Sequence, residues 1–242
     1  MEKSSSIVIL TGAGVSAESG LATFRGPDGL WEGHRVEDVA TPEAFARDPE
    51  LVHAFYDARR ARLRDVEPNA AHRALARLDA EWPGDLLIVT QNVDDLHERA
   101  GAKRLLHMHG ALTSGWCLAC DEWFPWEGAM GEGATCPLCQ AVGQIRPDIV
   151  WFGEMPYEMD RIDEALMNAD LFVSIGTSGA VYPAAGFVQT AKYCGARTLE
   201  INLEPSLGSI FFDERRYGPA GVEVPTWVDE LLAQSAQSNP MS

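Results

Sequence analysis

IVILTGAGVSAESGLATFR, residues 7–25, reads as a strand, a tight turn and the start of a helix. The apolar run Ile7 to Leu10 is too short for a helix and rich in β-branched residues, which suits a strand buried on both faces of a parallel sheet. Gly12, Ala13 and Gly14 then leave the backbone nearly bare, so that a phosphate group can approach its amides. Ser16-Ala17-Glu18-Ser19 reads as the first turn of a helix, whose unpaired N–H groups form an anion site. Gly12, Gly14 and Ala17 fit the G-x-G-x-x-(G/A) spacing of dinucleotide-binding turns. A glycine-rich turn without a ligand has the same composition, but the strand before and the helix after favour the nucleotide. One part of the fingerprint is missing. About 20 residues on, where a second strand should end in an acid for a ribose, TFRGPDGLWEGHRVED (23–38) is a polar loop broken by Gly and Pro. The expectation is a dinucleotide fold whose first crossover has been replaced.

Working outward, LLIVT (86–90), LFVSI (171–175) and RTLEIN (197–202) are further strand-like runs, each followed by a polar or glycine segment. That alternation predicts an α/β fold with a doubly wound parallel sheet. Residues 36–77 carry apolar residues at three and four spacing, with Thr41-Pro42-Glu43 as a capped helix start. Residues 114–146 break the rhythm with Cys, Trp, Gly and Pro and read as an inserted module. Only the tail AQSAQSNPMS (233–242) reads as disordered.

The 242 residues suffice for one substantial core, with 46% hydrophobic and 23% charged residues. A formal net charge of −17 argues against nucleic acid as a partner, because phosphates would be repelled over most of the surface. Basic partners would be attracted, and solubility alone accounts for the acidity equally well. MEKSSS leads directly into the first strand, and no apolar run approaches the ~20 residues of a membrane span. A cytoplasmic, monomeric protein without membrane contact is expected.

Four of the five cysteines form two C-x-x-C knuckles, Cys117/Cys120 and Cys136/Cys139, separated by fifteen residues. This spacing lets four thiolates converge on one Zn²⁺, and a site with four protein ligands is structural because it has no open position. Cys194 has no partner and is expected to be a buried apolar residue.

Gln91-Asn92-Val93-Asp94 follows the second strand-like run, so its polar groups emerge at the carboxyl edge of the sheet, where open α/β folds bind ligands. Asn and Asp at that place also suit turns and caps. Two residues apart, His107 and His109 fall on one side of an extended segment. As a pair they suit a metal, singly a structural role; the cysteines already complete a metal site.

GAGVSAESGLATFR, TQNVDDLHERAG, HMHG, the paired knuckles, VWFGEMP, IGTSGAVYPAAG and NLEP occur in one order over nearly the whole chain. In this the chain resembles the sirtuins, NAD-dependent protein lysine deacylases, and most closely their bacterial CobB type. The resemblance implies an inverted Rossmann-type NAD-binding domain (1–30, 84–113 and 147–242) joined to a small domain built from a helical insertion (31–83) and a zinc ribbon (114–146). It also accounts for the missing ribose acid, whose place is taken by Asn202, Leu203 and Glu204. Gly176, Thr177 and Ser178 would lie against the phosphates and adenosine, and Ala220 on the adenine side. Gly12, Ala13, Gly14, Ser16, Ala17, Glu18, Thr23, Phe24, Arg25, Trp31 and Val93 complete the implied NAD-binding set. Gln91 would contact a ribose, while Asn92, also in the catalytic set, and Asp94 would hold the nicotinamide end.

Sirtuins break the nicotinamide–ribose bond instead of transferring hydride. The acyl oxygen of the substrate lysine attacks C1′, nicotinamide leaves, and a neutral imidazole takes the proton of a ribose hydroxyl, giving free lysine and 2′-O-acyl-ADP-ribose. By position His109 is that base, and an ordinary imidazole is largely neutral near pH 7. His107 stands outside the catalytic set. Val150, Phe152, Gly153 and Glu154 on one edge, and Gly179 and Val181 on the other, resemble the two sides that clamp an extended peptide.

Tyr56 and Arg59, three apart in FYDARRAR, share a helix face. Amid Arg60, Arg62 and Arg64, Arg59 alone reads as part of a solvated basic face. Y-x-x-R here nevertheless resembles the signature of desuccinylase-type sirtuins, in which Arg and Tyr bind the carboxylate of a succinyl or malonyl group. Removal of both acetyl and succinyl or malonyl groups is therefore expected. Mono-ADP-ribosyl transfer by the same bond cleavage is the alternative; it, hydride transfer and a non-catalytic zinc-ribbon module all rank below deacylation.

Overall fold

The computed structural model describes residues 5–22, 31, 33–131 and 133–238. Thr23, Phe24 and Arg25, expected at the nucleotide, lie outside them. Six parallel strands form the main sheet in the order β3-β2-β1-β7-β8-β9. They are β1 (Ile7–Thr11), β2 (Leu86–Thr90), β3 (Leu105–His107), β7 (Leu171–Ile175), β8 (Arg197–Asn202) and β9 (Glu214–Tyr217). A second, antiparallel sheet of β4 (Gly110–Cys117), β5 (Glu122–Pro125) and β6 (Ile145–Ile149) has the order β5-β4-β6. This is the expected α/β architecture with its Rossmann-type sheet.

Side-chain alternation on wholly buried strands divides the core. Ile7, Ile9, Leu86, Ile88, Val173 and Ile175 face α4 (Ala70–Glu81) and α8 (Ala220–Ser238). Val8, Leu10, Leu87, Val89 and Phe172 face the opposite way, towards α6 (Met159–Met167) and α7 (Phe187–Tyr193). Burial on both sides explains why these strands are unbroken apolar runs.

The helical insertion begins with α1 (Val36–Val39), α2 (Pro42–Arg47) and α3 (Pro49–Arg62). Thr41 and Asp48 cap α2 and α3 by accepting the amides of Ala44 and Leu51, and a proline follows each cap. With Leu112, Ile149 and Trp151 these helices form their own apolar cluster. The fourth helix of the segment, α4, packs on the main sheet through Ala71, Ala74, Leu75 and Leu78. The apolar stripe of α4 matches that sheet, and the small antiparallel sheet runs from Gly110 to Ile149.

Three local expectations are corrected. Residues 13–19 form two three-residue 3₁₀ turns and no α-helix. Gly20, left-handed at φ 94°, ends them, and the Ser16 hydroxyl is engaged elsewhere instead of capping. The loop therefore brings no α-helix dipole to an anion, and its Gly12, Gly14, Val15 and Ser16 amides already donate to main-chain carbonyls. The tail is helical as far as Ser238, since the Ala and Gln residues extend α8. Cys194 is exposed, because it caps the end of α7 ahead of a left-handed Gly195. Among the described residues no helix is long and apolar enough to cross a membrane.

Candidate functional site

Strand order reverses between β1 and β7, and the crevice outside their carboxyl ends is where open α/β sheets take ligands. The glycines permit that crevice. A Cβ on Gly14 would stand 2.7 Å from the Gly176 Cα, and one on Gly12 would stand 2.9 Å from the Gly176 oxygen. Gly176, at φ 64°, returns the contact, so the turns after β1 and β7 interlock backbone to backbone. Asn202, at the end of β8, donates through Nδ2 to the Thr177 carbonyl at 2.7 Å and ties the third strand end to them. Glu18 accepts the Gly221 amide at 2.8 Å, fixing the 3₁₀ loop to the first turn of α8.

From this crevice a cleft of about 800 Å³ runs to the face of α3, within the range of small-molecule sites. Its wall unites Gly12, Ala13, Gly14, Ser16, Ala17, Glu18, Trp31, Gln91, Asn92, Val93, Asp94, Gly176, Thr177, Ser178, Asn202, Leu203, Glu204 and Ala220. His109, Tyr56, Arg59, Val150, Phe152, Gly153, Glu154 and Val181 line the same space. Gly179 is not in the wall. At φ 66° it packs against residues 206–208, leaving no room for a side chain. Ala40, Leu112, Ile149 and Trp151 line it too, although the sequence shows them only as ordinary apolar positions.

Ser16 organises the polar floor. Its hydroxyl donates to Asp94 at 3.0 Å, accepts from Asn92 Nδ2 at 3.0 Å, and lies 3.3 Å from His72 Nε2. His72 Nδ1 accepts the Asn69 amide at 3.3 Å in a capping box, so its proton sits on Nε2 and is given to Ser16. All three hydrogen-bonding directions of the hydroxyl are used. Burial raises the Asp94 pKa, against which the Leu96 amide and Ser16 work. His72 was invisible as a site residue; its signal is the N-x-x-H spacing, which reads as a helix cap.

His107 and His109 differ sharply. His109 Nδ1 faces the Gln91 carbonyl at 3.2 Å. Since a carbonyl only accepts, the proton lies on Nδ1 and Nε2 is the basic nitrogen. Burial lowers its pKa below the ordinary imidazole value, with the Gln91 carbonyl resisting, so the ring is neutral at pH 7. For His107 both neighbours are acceptors, the Asn92 carbonyl at 3.0 Å and the Glu98 carboxylate at 2.6 Å. Burial would lower its pKa too, but the Glu98 bond and charge outweigh burial and raise it. Only Gly fits after His109: at φ 79°, a Cβ on Gly110 would stand 2.1 Å from the Asp148 oxygen.

At the other end of the cleft, the basic run of α3 splits. Arg60 is buried, bound to Asp57 and to the carbonyls of Leu112 and Gly128. Arg62, exposed, reaches the Gly20 carbonyl and also lines the cleft. Arg59 turns into the cleft, its guanidinium 4.1 Å from the Trp31 ring centre, and so leaves the solvated face. Tyr56 beside it is fully buried, and burial raises its pKa, keeping the phenol neutral. On the edge at 150–154 the amides of Val150 and Phe152 already donate to the carbonyls of His109 and Ala40. The Glu154 carboxylate points at Arg146 and the Trp151 amide, not at the open side.

The four cysteine sulfurs lie within 4.8 Å of one another, with 3.7 Å between Cys117 and Cys139 and 3.9 Å between Cys120 and Cys136. Tetrahedral Zn–S bonds of about 2.3 Å require sulfurs about 3.8 Å apart, so the cluster fits zinc. Amides of Leu138 and Cys139 point at the Cys136 sulfur, as a thiolate needs.

The buried histidines predict acid lability. Burial lowers the pKa of His72 to about 4 and of His97, 4.9 Å away ring to ring, to about 3. Below pH 6.5 the unfolded chain takes up these two protons and the folded chain does not, so stability falls with pH until those values are reached. The gain from His107 is complete below 6.5 and does not offset the slope. Each pH unit lost below about 6 should cost about 2–3 kcal/mol. Thermal melts between pH 7 and 4 measure this; a melting temperature flat from 7 to 5 contradicts it.

The Sir2 family profile matches residues 12–183. A protein of Vibrio vulnificus (strain YJ016) named NAD-dependent protein deacylase is 60% identical over 229 residues, covering 94% of each chain. One of the same name from Bdellovibrio bacteriovorus is 59% identical, over 93% of this chain and 96% of its own. A Sir2 homologue solved in complex with NAD superposes with a TM-score of 0.85 at 39% identity, covering 95% of this chain and 90% of the other. A profile spanning most of the sequence, and relatives this close over nearly its full length, establish that the chain belongs to the Sir2 family.

Proposed function

We propose that this chain is an NAD-dependent protein lysine deacylase that removes acetyl, succinyl and malonyl groups, releasing nicotinamide and 2′-O-acyl-ADP-ribose. The observation that carries the reading is His109. Its ring is neutral, its proton is committed to the Gln91 carbonyl, and it stands in one cleft with both the glycine loops and the Tyr56–Arg59 face. The names of close relatives in Vibrio and Bdellovibrio support it.

NAD brings the scissile nicotinamide–ribose bond. The bare turns at Gly12, Gly14 and Gly176 admit the phosphates, and Asn92 and Asp94, held by Ser16, bind the nicotinamide end. Gln91 faces a ribose, and His109 Nε2 receives the proton of a ribose hydroxyl. Arg59, with Tyr56, pairs with an acyl carboxylate, while a neutral acetyl group leaves both to water. The four cysteines hold a structural zinc.

Acetyl-, succinyl- and malonyl-lysine peptides incubated with NAD, followed by mass spectrometry of peptide and nucleotide, test this. Label from NAD retained on protein would instead indicate ADP-ribosyl transfer. Reduced nicotinamide absorbance without peptide cleavage would overturn the reading altogether. Arg59→Met should lower kcat/KM for succinyl-lysine about 10- to 100-fold, the worth of a charge-assisted hydrogen bond. Acetyl-lysine turnover should stay within about threefold, and equal losses on the two substrates would remove the carboxylate assignment.

A further inference from the structure

We propose that Trp151 is a positioning residue for acyl selectivity: its indole N–H fixes the Tyr56 phenol so that the phenolic hydrogen is presented to a negatively charged acyl group. This rests on the carboxylate reading of Tyr56 and Arg59 above.

Trp151 Nε1 donates to the Tyr56 oxygen at 3.0 Å, with both side chains almost wholly buried. An indole N–H can only donate, so the phenol oxygen is the acceptor and keeps its own hydrogen for another partner. Among the described residues no acceptor takes that hydrogen. A phenolic O–H lies near the ring plane in one of two orientations. The indole occupies one side of the oxygen, which leaves the hydrogen the other. Tyr56 lines the cleft next to Arg59, so two donors converge where an acyl tail would end.

The indole is itself clamped. Its ring centre lies 3.4 Å from the Arg146 guanidinium carbon, and that guanidinium binds both Glu154 oxygens at 2.7 and 3.0 Å. Glu154 closes the loop by accepting the Trp151 amide at 2.8 Å. A cation against the ring face draws electron density from the indole and strengthens its N–H as a donor. Glu154, expected to face a peptide, here serves the acyl end.

A carboxylate gains from a hydrogen aimed at it, whereas a neutral acetyl group makes no such demand. Trp151→Phe keeps an aromatic ring beside Arg146 and removes the N–H together with the five-membered ring. It should raise KM for succinyl-lysine peptide, lowering kcat/KM about 5- to 10-fold with kcat nearly unchanged and acetyl-lysine kcat/KM within about twofold. Benzothienylalanine at position 151, which keeps the fused rings without the N–H, should do the same should Trp151→Phe not fold. In a Tyr56→Phe background either change should have no further effect on succinyl-lysine. Equal losses on both substrates, or a full additional loss in the Tyr56→Phe background, would overturn the proposal. If Arg59→Met and Tyr56→Phe fail to separate the two substrates, it is the carboxylate reading itself that has failed.

Discussion

His109→Ala is expected to lower kcat/KM for every acyl-lysine substrate by about 10²–10⁴, the usual worth of a positioned general base. The loss should fall on chemistry. The His109 main chain, whose carbonyl accepts the Val150 amide, is untouched by the change, and the side chain bonds to a main-chain carbonyl, that of Gln91. Folding and nucleotide affinity should therefore hold within a few-fold. In the sirtuin sequence of steps the base acts after the nicotinamide bond breaks, so labelled nicotinamide should still exchange into NAD. His107→Ala is the control. That ring is bound to Glu98 and to the Asn92 carbonyl, and the Glu98 bond raises its pKa against burial, so its loss should cost stability more than turnover. A His107 variant as inactive as the His109 one, or a His109 variant retaining activity, would move the base elsewhere.

Removing the metal, or replacing Cys136 by Ser, should unfold residues 114–146 and abolish deacylation. The module has little else to hold it: its apolar cluster comprises Cys117, Phe124, Met130, Cys136 and Ile145, and two of these five are ligands. Structural zinc contributes about 10–16 kcal/mol in small modules, more than such a cluster supplies. The damage should spread to the acyl end. Asp57 accepts the Met130 amide through both oxygens, at 2.8 and 2.9 Å, and Arg60 donates to the Gly128 carbonyl. Both lie on α3 beside Tyr56 and Arg59, so loss of the module releases the helix that carries them. Metal analysis of the purified protein should find one zinc per chain, and chelation should lower helicity or melting temperature together with turnover. Full turnover in protein shown to be metal-free would refute this. Cys194→Ser, at an exposed helix end, should change neither property.

Much of the architecture is legible along the chain because it depends on local pattern. Five-residue apolar runs bounded by glycine or polar turns can hardly be other than buried strands, and β1, β2 and β7 lie where those runs do. The two knuckles converge as their spacing requires, since ligand geometry leaves few alternatives. The 3₁₀ turns at 13–19 and the helical tail were less legible. In one, Ser16 bonds across the fold to residues far along the chain; in the other, packing of α8 on the sheet extends a weak local preference.

Composition, motif order and the spacing of glycines and cysteines were enough to indicate the sheet, the metal module and the family, because each is a property of neighbours in sequence. How the arginines of α3 are disposed, which of two neighbouring histidines stays neutral, and that Trp151 holds the Tyr56 phenol are decided by partners as far as 95 residues away. Protonation and side-chain direction depend on burial and on the atoms brought alongside, and those exist only once the chain has folded.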